Sequence, residues 1–377
     1  MKVLYIGVYR DGTGYGQAAE DYILSLNSVG VDVVCRPLKL NDVDYAPNPI
    51  VSKLESKSSK NCDVVIQHML PIHMQYNGDF NYNIGLFAYE TSNFKMSGWK
   101  NYLNLMDANV VINKQMINSC LNSGVNTPLH VVPHARDFSR YFEKYEKLET
   151  ITSQVSDSDF IFYTIGEMTK RKNFSALLKA YFTEFSESES VCLLIKTNKS
   201  SYEFYDYCGK ILDGLCIKNP PRVIAVTERM SNEDINRLHY TCDAFVQPSY
   251  GEAWSIPAFD AMGFGKTPIV TNCTGYVEYI DESVGWLVNG FEEPVFAADK
   301  QTDDIYTSGE NWFSVDILDL KRKMRQCYKE EGIRRSKAEN ALDRAYEFSH
   351  EKVGSIFLEV LKNVTKEKKT ELVRRSY

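Results

Sequence analysis

Short runs of β-branched and aromatic residues recur along the chain, separated by stretches whose apolar positions return with helical period. Val3-Leu-Tyr-Ile6, Val31-Asp-Val-Val34, Asp63-Val-Val-Ile66, Ile84-Gly-Leu-Phe87 and Asn109-Val-Val-Ile112 form a first set. Phe160-Ile-Phe-Tyr163, Val191-Cys-Leu-Leu-Ile195, Arg222-Val-Ile-Ala-Val226, Ala244-Phe-Val246 and Pro268-Ile-Val270 form a second. Strands alternating with helices predict α/β architecture with parallel, doubly wound sheets. Between the sets, Lys147 to Asp159 is rich in Ser, Thr and Asp and poor in apolar residues, and reads as a linker. The expected domains are therefore 1–147 and 160–347. Asp343 to Leu361 is helical in period, and the tail from Lys366, with its Lys-Lys and Arg-Arg pairs, reads as frayed and solvated.

A chain of 377 residues is long enough for two such domains, each with its own core. The composition, 44% hydrophobic and 25% charged, is that of an ordinary globular protein. A formal net charge of -7 gives no general attraction to nucleic acid or anionic lipid. The nine cysteines include no C-x-x-C pair and no metal-ligand spacing, and read as reduced thiols in a cytosolic setting. Met1-Lys-Val-Leu-Tyr-Ile-Gly7 runs straight into a strand-and-glycine pattern, and no apolar stretch approaches a membrane span, so a cytoplasmic location is expected.

The densest chemistry lies in Gln247-Pro-Ser-Tyr-Gly-Glu-Ala-Trp-Ser-Ile-Pro-Ala-Phe-Asp-Ala-Met262. Its first residues end a buried strand, Ser249-Tyr-Gly251 turns, and Ser255 followed by Pro257 starts a helix, where proline's missing N–H costs little. A helix start offers free N–H groups to an anion or to sugar hydroxyls. Glu252 sits just before this helix and Asp260 on it, both expected to face one cleft. Two acids in such a segment also fit a helix cap and a solvated face.

With its flanking residues, this segment resembles the E-x7-E signature of retaining, nucleotide-sugar-dependent glycosyltransferases of the GT-B fold, the large family 4 or group 1 type. The resemblance implies two Rossmann-like domains facing across a cleft, with the C-terminal helix 348–377 crossing back to the N-terminal domain. It implies that Glu252 lies beside the donor sugar and that Asp260, in place of a second Glu, binds the ribose. Trp254, Ser255 and Ile256 are expected donor contacts on the same segment.

Gly166-Glu-Met-Thr-Lys-Arg-Lys-Asn-Phe174 follows a strand and precedes a helix expected over 175–185. Basic side chains at the C-terminal end of a strand stand where open α/β sheets bind ligands. Arg171 as a bidentate fork and Lys172 as a point charge suit a diphosphate, the role the resemblance also assigns; an exposed basic turn is the plain alternative. Lys196, ending the next strand, is a weaker phosphate candidate. Val226-Thr-Glu-Arg-Met-Ser231 leads into a helix expected over 232–240 with Ser231 as its N-cap. By resemblance this loop holds the base, which singles out Arg229 and Met230.

Asp11-Gly-Thr-Gly-Tyr-Gly-Gln17 joins the first strand to the first helix without a dinucleotide fingerprint, and its Gly14 and Gly16 would let a diphosphate or an acceptor approach closely. Gln67-His-Met-Leu-Pro71, Phe87-Ala-Tyr-Glu-Thr91 and Val131-Val-Pro-His-Ala-Arg-Asp137 resemble one branch of the family. They make His68 and Glu90 candidates for sugar or acceptor contact and His134 a candidate for the hinge, although an isolated histidine is more often structural.

The expected activity is transfer of a hexose or similar sugar from a UDP- or GDP-sugar to an acceptor hydroxyl, with retention at the anomeric carbon. No cofactor beyond the donor substrate is expected. No metal is expected either, since Asp42-Val-Asp44, Asp157-Ser-Asp159 and Asp303-Asp304 all fall in polar surface segments. Two alternatives stand beside this reading. One is a DNA-modifying glycosyltransferase acting on a hydroxymethylated base, for which Arg10 beside Tyr9, and Lys95 and Lys100 near Trp99, would form a basic, aromatic groove. The other is a non-catalytic sugar-nucleotide or glycan-binding protein.

Overall fold

The computed structural model of the chain describes residues 1–39, 45–296 and 305–375, with side chains described as far as residue 366. Asp42, Asp44, Asp303 and Asp304 therefore lie outside the described residues. The chain divides into two compact units, Met1–Phe138 with Tyr346–Tyr377, and Ser139–Ala345.

In the first unit the strands are β1 (Lys2–Gly7), β2 (Asp32–Pro37), β3 (Val64–His68), β4 (Tyr82–Leu86), β5 (Ala108–Val111) and β6 (Leu129–Val131). The helices α1 (Gly14–Ser28), α2 (Pro49–Glu55), α3 (Trp99–Leu103) and α4 (Lys114–Asn122) connect them. The sheet order is β2-β1-β3-β4-β5-β6, and every pairing is parallel. β3, β4 and β5 are buried at every position, as expected of parallel strands covered on both faces.

The second unit holds β7 (Phe160–Ile165), β8 (Val191–Lys196), β9 (Arg222–Val226), β10 (Ala244–Gln247), β11 (Thr267–Thr271) and β12 (Trp286–Val288) in the parallel order β12-β11-β10-β7-β8-β9. Its helices are α5 (Glu149–Thr152), α6 (Phe174–Glu184), α7 (Ser201–Leu215), α8 (Asn232–Thr241), α9 (Ile256–Gly263), α10 (Ile317–Lys329) and α11 (Glu331–Tyr346). An antiparallel hairpin, β13 (Gly290–Pro294) with β14 (Asn311–Val315), follows β12. The core packs Phe162, Leu193, Ile195, Val246 and Ile269 from the sheet against Phe174, Leu178 and Tyr181 of α6.

Two local expectations change. Residues 147–159 are not a linker but part of the second unit. Leu148 and Ile151 are buried, the Leu148 N–H donates to Thr241 Oγ1 at 2.9 Å, and Asp159 pairs with Arg222 at 2.6 Å. Two apolar side chains anchor a stretch whose average polarity suggests a tether. The C-terminal helix is interrupted, α11 ending at Tyr346 and α12 (His350–Arg375) beginning after a short break. There the Arg136 N–H donates to the Phe348 carbonyl at 3.0 Å, taking a carbonyl that a continuous helix would use internally. From that point the chain belongs to the first unit, where Val353, Phe357 and Leu361 of α12 share a core with Tyr22, Ile23 and Leu26 of α1.

Candidate active site

In the second sheet β7 is followed in sequence by β8 on one flank, while β10 pairs with its other flank. Strand order reverses at that point, so the loops leaving β7 and β10 diverge and open a crevice above the strand ends. The basic turn Lys170–Lys172 follows β7 and is stopped by Asn173, whose φ of 53° breaks the run and whose side chain caps α6 through the Ala176 N–H at 3.3 Å. The loop carrying Glu252 follows β10.

These loops bring three charges together. Lys172 Nζ donates to Glu252 Oε1 at 2.6 Å, and Arg171 Nη1 lies 3.0 Å from the same oxygen while donating to the Gly251 carbonyl at 2.7 Å. Ser249 Oγ donates to Glu252 Oε1 at 2.9 Å. The backbone is tied as well, through Tyr250 N–H to the Arg171 carbonyl at 2.8 Å, Glu252 N–H to Thr274 Oγ1 at 3.1 Å and Gly275 N–H to the Glu252 carbonyl at 2.8 Å. Glu252 is only 5% exposed. Burial alone would push its carboxyl up, but the charges of Arg171 and Lys172 with their hydrogen bonds outweigh it and hold the group at about 2. The site is thus an ionised carboxylate under two cations, with a net positive charge at the C-terminal edge of the sheet.

The rest of the segment departs from expectation in three places. Ser255 does precede α9, but at φ 70° and without a side-chain cap; its Oγ donates instead to Gln247 Oε1 at 2.7 Å. The Trp254 indole is buried against Tyr279 and Phe259, with ring centroids 4.6 and 5.8 Å away, so the expected donor contact is closed to this side chain. Asp260 is buried and turned toward other partners than those of Glu252: Tyr141 OH donates to it at 2.8 Å and Arg140 lies 3.5 Å away. Its carboxylate holds residues 140–141 to α9. Ile256 is half-buried at the first turn of α9.

Lys196 ends β8 half-buried, its Nζ donates to the Thr197 carbonyl at 3.2 Å, and burial lowers its pKa. Arg229 is exposed and Met230 half-buried in the loop before α8, which Ser231 caps through the Asp234 N–H at 3.1 Å. On the far side of the basic turn, Met168, Lys170, Phe174, Lys199, Glu203 and Tyr207 help line a cavity of about 410 Å³ that neither Lys172 nor Glu252 reaches.

Within the first unit, Gly14 starts α1 and Thr13 caps it through the Gly16 N–H. A Cβ on Gly16 would lie 2.2 Å from Asp11 Oδ1, so this glycine makes room for Asp11, whose carboxylate accepts from the Thr13 N–H at 2.9 Å and hydroxyl at 2.7 Å. His68 is fully buried among the rings of Tyr5, Tyr15 and Tyr22, with Nδ1 2.6 Å from Tyr5 OH. Burial, then His134, keeps it neutral by driving its pKa well below the ordinary value. His134 is buried too, 3.1 Å from Tyr22 OH, and burial lowers it to about 3. Both act as packing groups rather than surface contacts. Glu90 follows β4 half-buried, near enough to Tyr15 to raise that phenol's pKa after burial has done so. The basic, aromatic groove expected for nucleic acid is not assembled, because Tyr9 and Trp99 are buried and Arg10 pairs with Glu55 at 2.7 Å.

Sequence reading passed over Ser249 and Thr274, which fix Glu252, and Gln247, which fixes Ser255. Ser249 and Gln247 lie inside the segment it singled out, but their pairing depends on the tertiary turn. It also passed over Asp21, whose carboxylate joins Arg136 and His350, each at 2.8 Å, and so ties α1 to the start of α12.

Residues 218–305 match the family described as Glycosyl transferases group 1. That match lies within the second unit. Among characterised proteins, the serotype-specific mannosyltransferase WbdA of Escherichia coli is 21% identical over 204 residues, 54% of this chain and 22% of that protein. An N,N'-diacetylbacillosaminyl-diphospho-undecaprenol alpha-1,3-N-acetylgalactosaminyltransferase of Campylobacter jejuni is 25% identical over 136 residues, 36% of this chain and 30% of that protein. The matches therefore span less than a third of these relatives. Among solved structures, Anabaena HepE in complex with UDP and glucose aligns at TM-score 0.66 and 13% identity, covering 96% of this chain and all of that one (100%). Sucrose-phosphate synthase from Thermosynechococcus elongatus aligns at TM-score 0.67 and 13% identity, covering 97% and 100%. The fold is GT-B α/β. No helix among the described residues is long and apolar enough to cross a membrane.

Proposed function

We propose that the chain is a glycosyltransferase that moves a sugar from a UDP- or GDP-sugar to an acceptor hydroxyl, with retention at the anomeric carbon. The observation that carries this reading is the Arg171–Lys172–Glu252 cluster, a buried carboxylate under two half-buried cations, at the point where strand order reverses. In the reaction a nucleoside diphosphate leaves and negative charge grows on the bridging oxygen. Lys172 and Arg171, held by Glu252 at fixed positions, stabilise that charge without reorganising. The free N–H groups at the start of α9 add to the same field. Glu252 is ionised throughout the neutral range, so its part is to orient the two cations and the sugar rather than to donate a proton. We assign no covalent nucleophile; the departing phosphate takes the acceptor's proton on the face where the sugar is transferred.

No metal enters this account, because the cations of the basic turn supply the neutralising charge. The donor specificities named for the relatives, mannosyl in one and N-acetylgalactosaminyl in the other, support a hexose or amino-hexose donor. A panel of UDP-, GDP- and ADP-sugars tests the reading by thermal shift and by release of nucleoside diphosphate without added acceptor. One donor should raise the melting temperature and be slowly hydrolysed, and Glu252→Ala and Lys172→Ala should abolish the hydrolysis. No stabilisation by any donor would overturn the reading in favour of a non-catalytic relative.

A further inference from the structure

Gln247 ends β10 directly below the crevice and is 1% exposed. Its amide oxygen is saturated: Ser255 Oγ donates to it at 2.7 Å and Tyr276 OH approaches it at 3.0 Å. Its Nε2 is buried and has no hydrogen-bond partner within the protein. A buried N–H donor left unmade costs about 1–3 kcal/mol, so such a group calls for an acceptor that arrives from outside. The surroundings indicate where it arrives. Gly166, the half-exposed first residue of the β7–α6 loop, lies over this amide, and a Cβ placed on it would sit 3.5 Å from Gln247 Nε2 and 3.6 Å from Lys172 Cε. The missing side chain leaves one atom's room between an unpaired N–H donor and a lysine stem, on the side that reaches solvent.

We propose that Gln247 is a direct ligand of the donor, its Nε2–H donating to a diphosphate oxygen that enters over Gly166 beside Lys172. This rests on the glycosyl-transfer reading and adds to it a neutral donor beneath the two cations. The Lys172 stem borders the same gap, and the Arg171–Lys172–Glu252 cluster it belongs to carries a net positive charge, so the acceptor that suits the position is an anionic oxygen. Gln247 also has a second task through its other end. By accepting from Ser255 it holds that residue at φ 70°, the strained turn from which α9 starts.

Two variants separate contact from scaffold. Gln247→Glu keeps an oxygen acceptor for Ser255 and Tyr276 but replaces the N–H donor with an anion. Gly166→Ala adds one methyl at ordinary contact distance from every neighbour, and its backbone is not in the left-handed region, so the fold accommodates it. Binding of UDP, GDP, ADP and inorganic pyrophosphate is measured calorimetrically, with melting temperatures recorded alongside. The expected result is binding of at least one diphosphate to the unsubstituted protein, weakened about tenfold or more by each substitution, with Gly166→Ala melting as the parent does. If the parent binds and Gln247→Glu binds equally well, the proposal falls while the functional reading stands, and the amide faces a buried water instead. If the parent binds none of the four, both fall together.

Discussion

Lys172 and Glu252 stand 80 residues apart in the sequence and meet through a 2.6 Å hydrogen bond at the reversal of strand order in the second unit. The contact is nearly dry, with the two side chains 14% and 6% exposed, so neither charge is screened by bulk water. Removing Lys172 leaves Glu252 buried with Arg171 and Ser249 as its remaining partners, so only part of its burial goes uncompensated, a cost of about 1–3 kcal/mol. Lys172→Ala is therefore expected to lower stability as well as donor turnover by about a hundredfold or more. Lys172→Arg, which keeps the charge but not the reach, should recover stability before it recovers turnover. Urea unfolding beside single-turnover kinetics checks this, and equal recovery of both would place Lys172 outside the chemistry.

Glu252 also carries a pH signature. Its carboxyl titrates near 2 in the folded chain against 4.5 unfolded, a difference worth roughly 3 kcal/mol of stability. The contribution is fully present above 4.5 and is lost as pH falls toward 2, because the unfolded chain takes up the proton first. Glu252→Gln cannot titrate, so the stability gap between it and the parent should be widest at neutral pH and close through that window. A gap that stays constant from pH 6 to pH 3 would contradict the depressed titration.

Much of this arrangement is written in local sequence and part of it is not. The strand runs beginning at Val3, Asp63, Phe160 and Val191 are apolar on both faces, a signal that survives without tertiary information. The basic turn and the Glu252 segment are legible for a similar reason, each joining a strand end to a helix start in a few residues. The partner of Asp260 is not legible, since Arg140 and Tyr141 lie some 120 positions away in a stretch with no pattern of its own. Nor is the β13–β14 hairpin, whose first strand is exposed or half-exposed at every position and shows no apolar alternation. The break before His350 is invisible for a third reason: helical period continues through it, and the break is marked by tertiary contacts of Arg136 with the Phe348–Ser349 backbone.

Glycines at two positions should respond in opposite directions. A Cβ on Gly275 would lie 2.0 Å from the Ala253 carbonyl oxygen and 2.8 Å from that of Glu252, both backbone atoms that cannot move without shifting the Glu252 loop. Gly275→Ala is expected to cost about 2–4 kcal/mol and to abolish donor hydrolysis. Gly209 lies mid-way along α7 with nothing within 4 Å of the added atom. Gly209→Ala is expected to stabilise by roughly 0.5–1 kcal/mol through helix propensity, with hydrolysis unchanged. Chemical denaturation of the two variants side by side tests the pair.

The first unit should lose stability at milder acidity than the Glu252 cluster does. Tyr22 OH donates to the Val132 carbonyl at 2.7 Å, which spends its only proton, so the proton in the 3.1 Å contact between Tyr22 OH and His134 Nδ1 belongs to the histidine. His134 is thus held neutral as the Nδ1–H tautomer, and burial lowers its pKa from 6.5 to about 3. His68 is shifted in the same direction by burial and by His134 itself. In the unfolded chain both take up protons below about 6.5, while the folded chain resists, so stability falls as pH drops from 6.5 toward 3. Most carboxylates begin to matter only below about 4.5, whereas Glu20, raised by burial, takes up its proton first in the folded chain and offsets part of the decline. His134→Gln keeps an amide donor for Tyr22 but cannot titrate, and it should flatten the decline between pH 6.5 and 4.5 in urea unfolding followed by tryptophan fluorescence. An unchanged slope in that variant would mean that His134 is hydrated and charged in the folded protein, contrary to its burial.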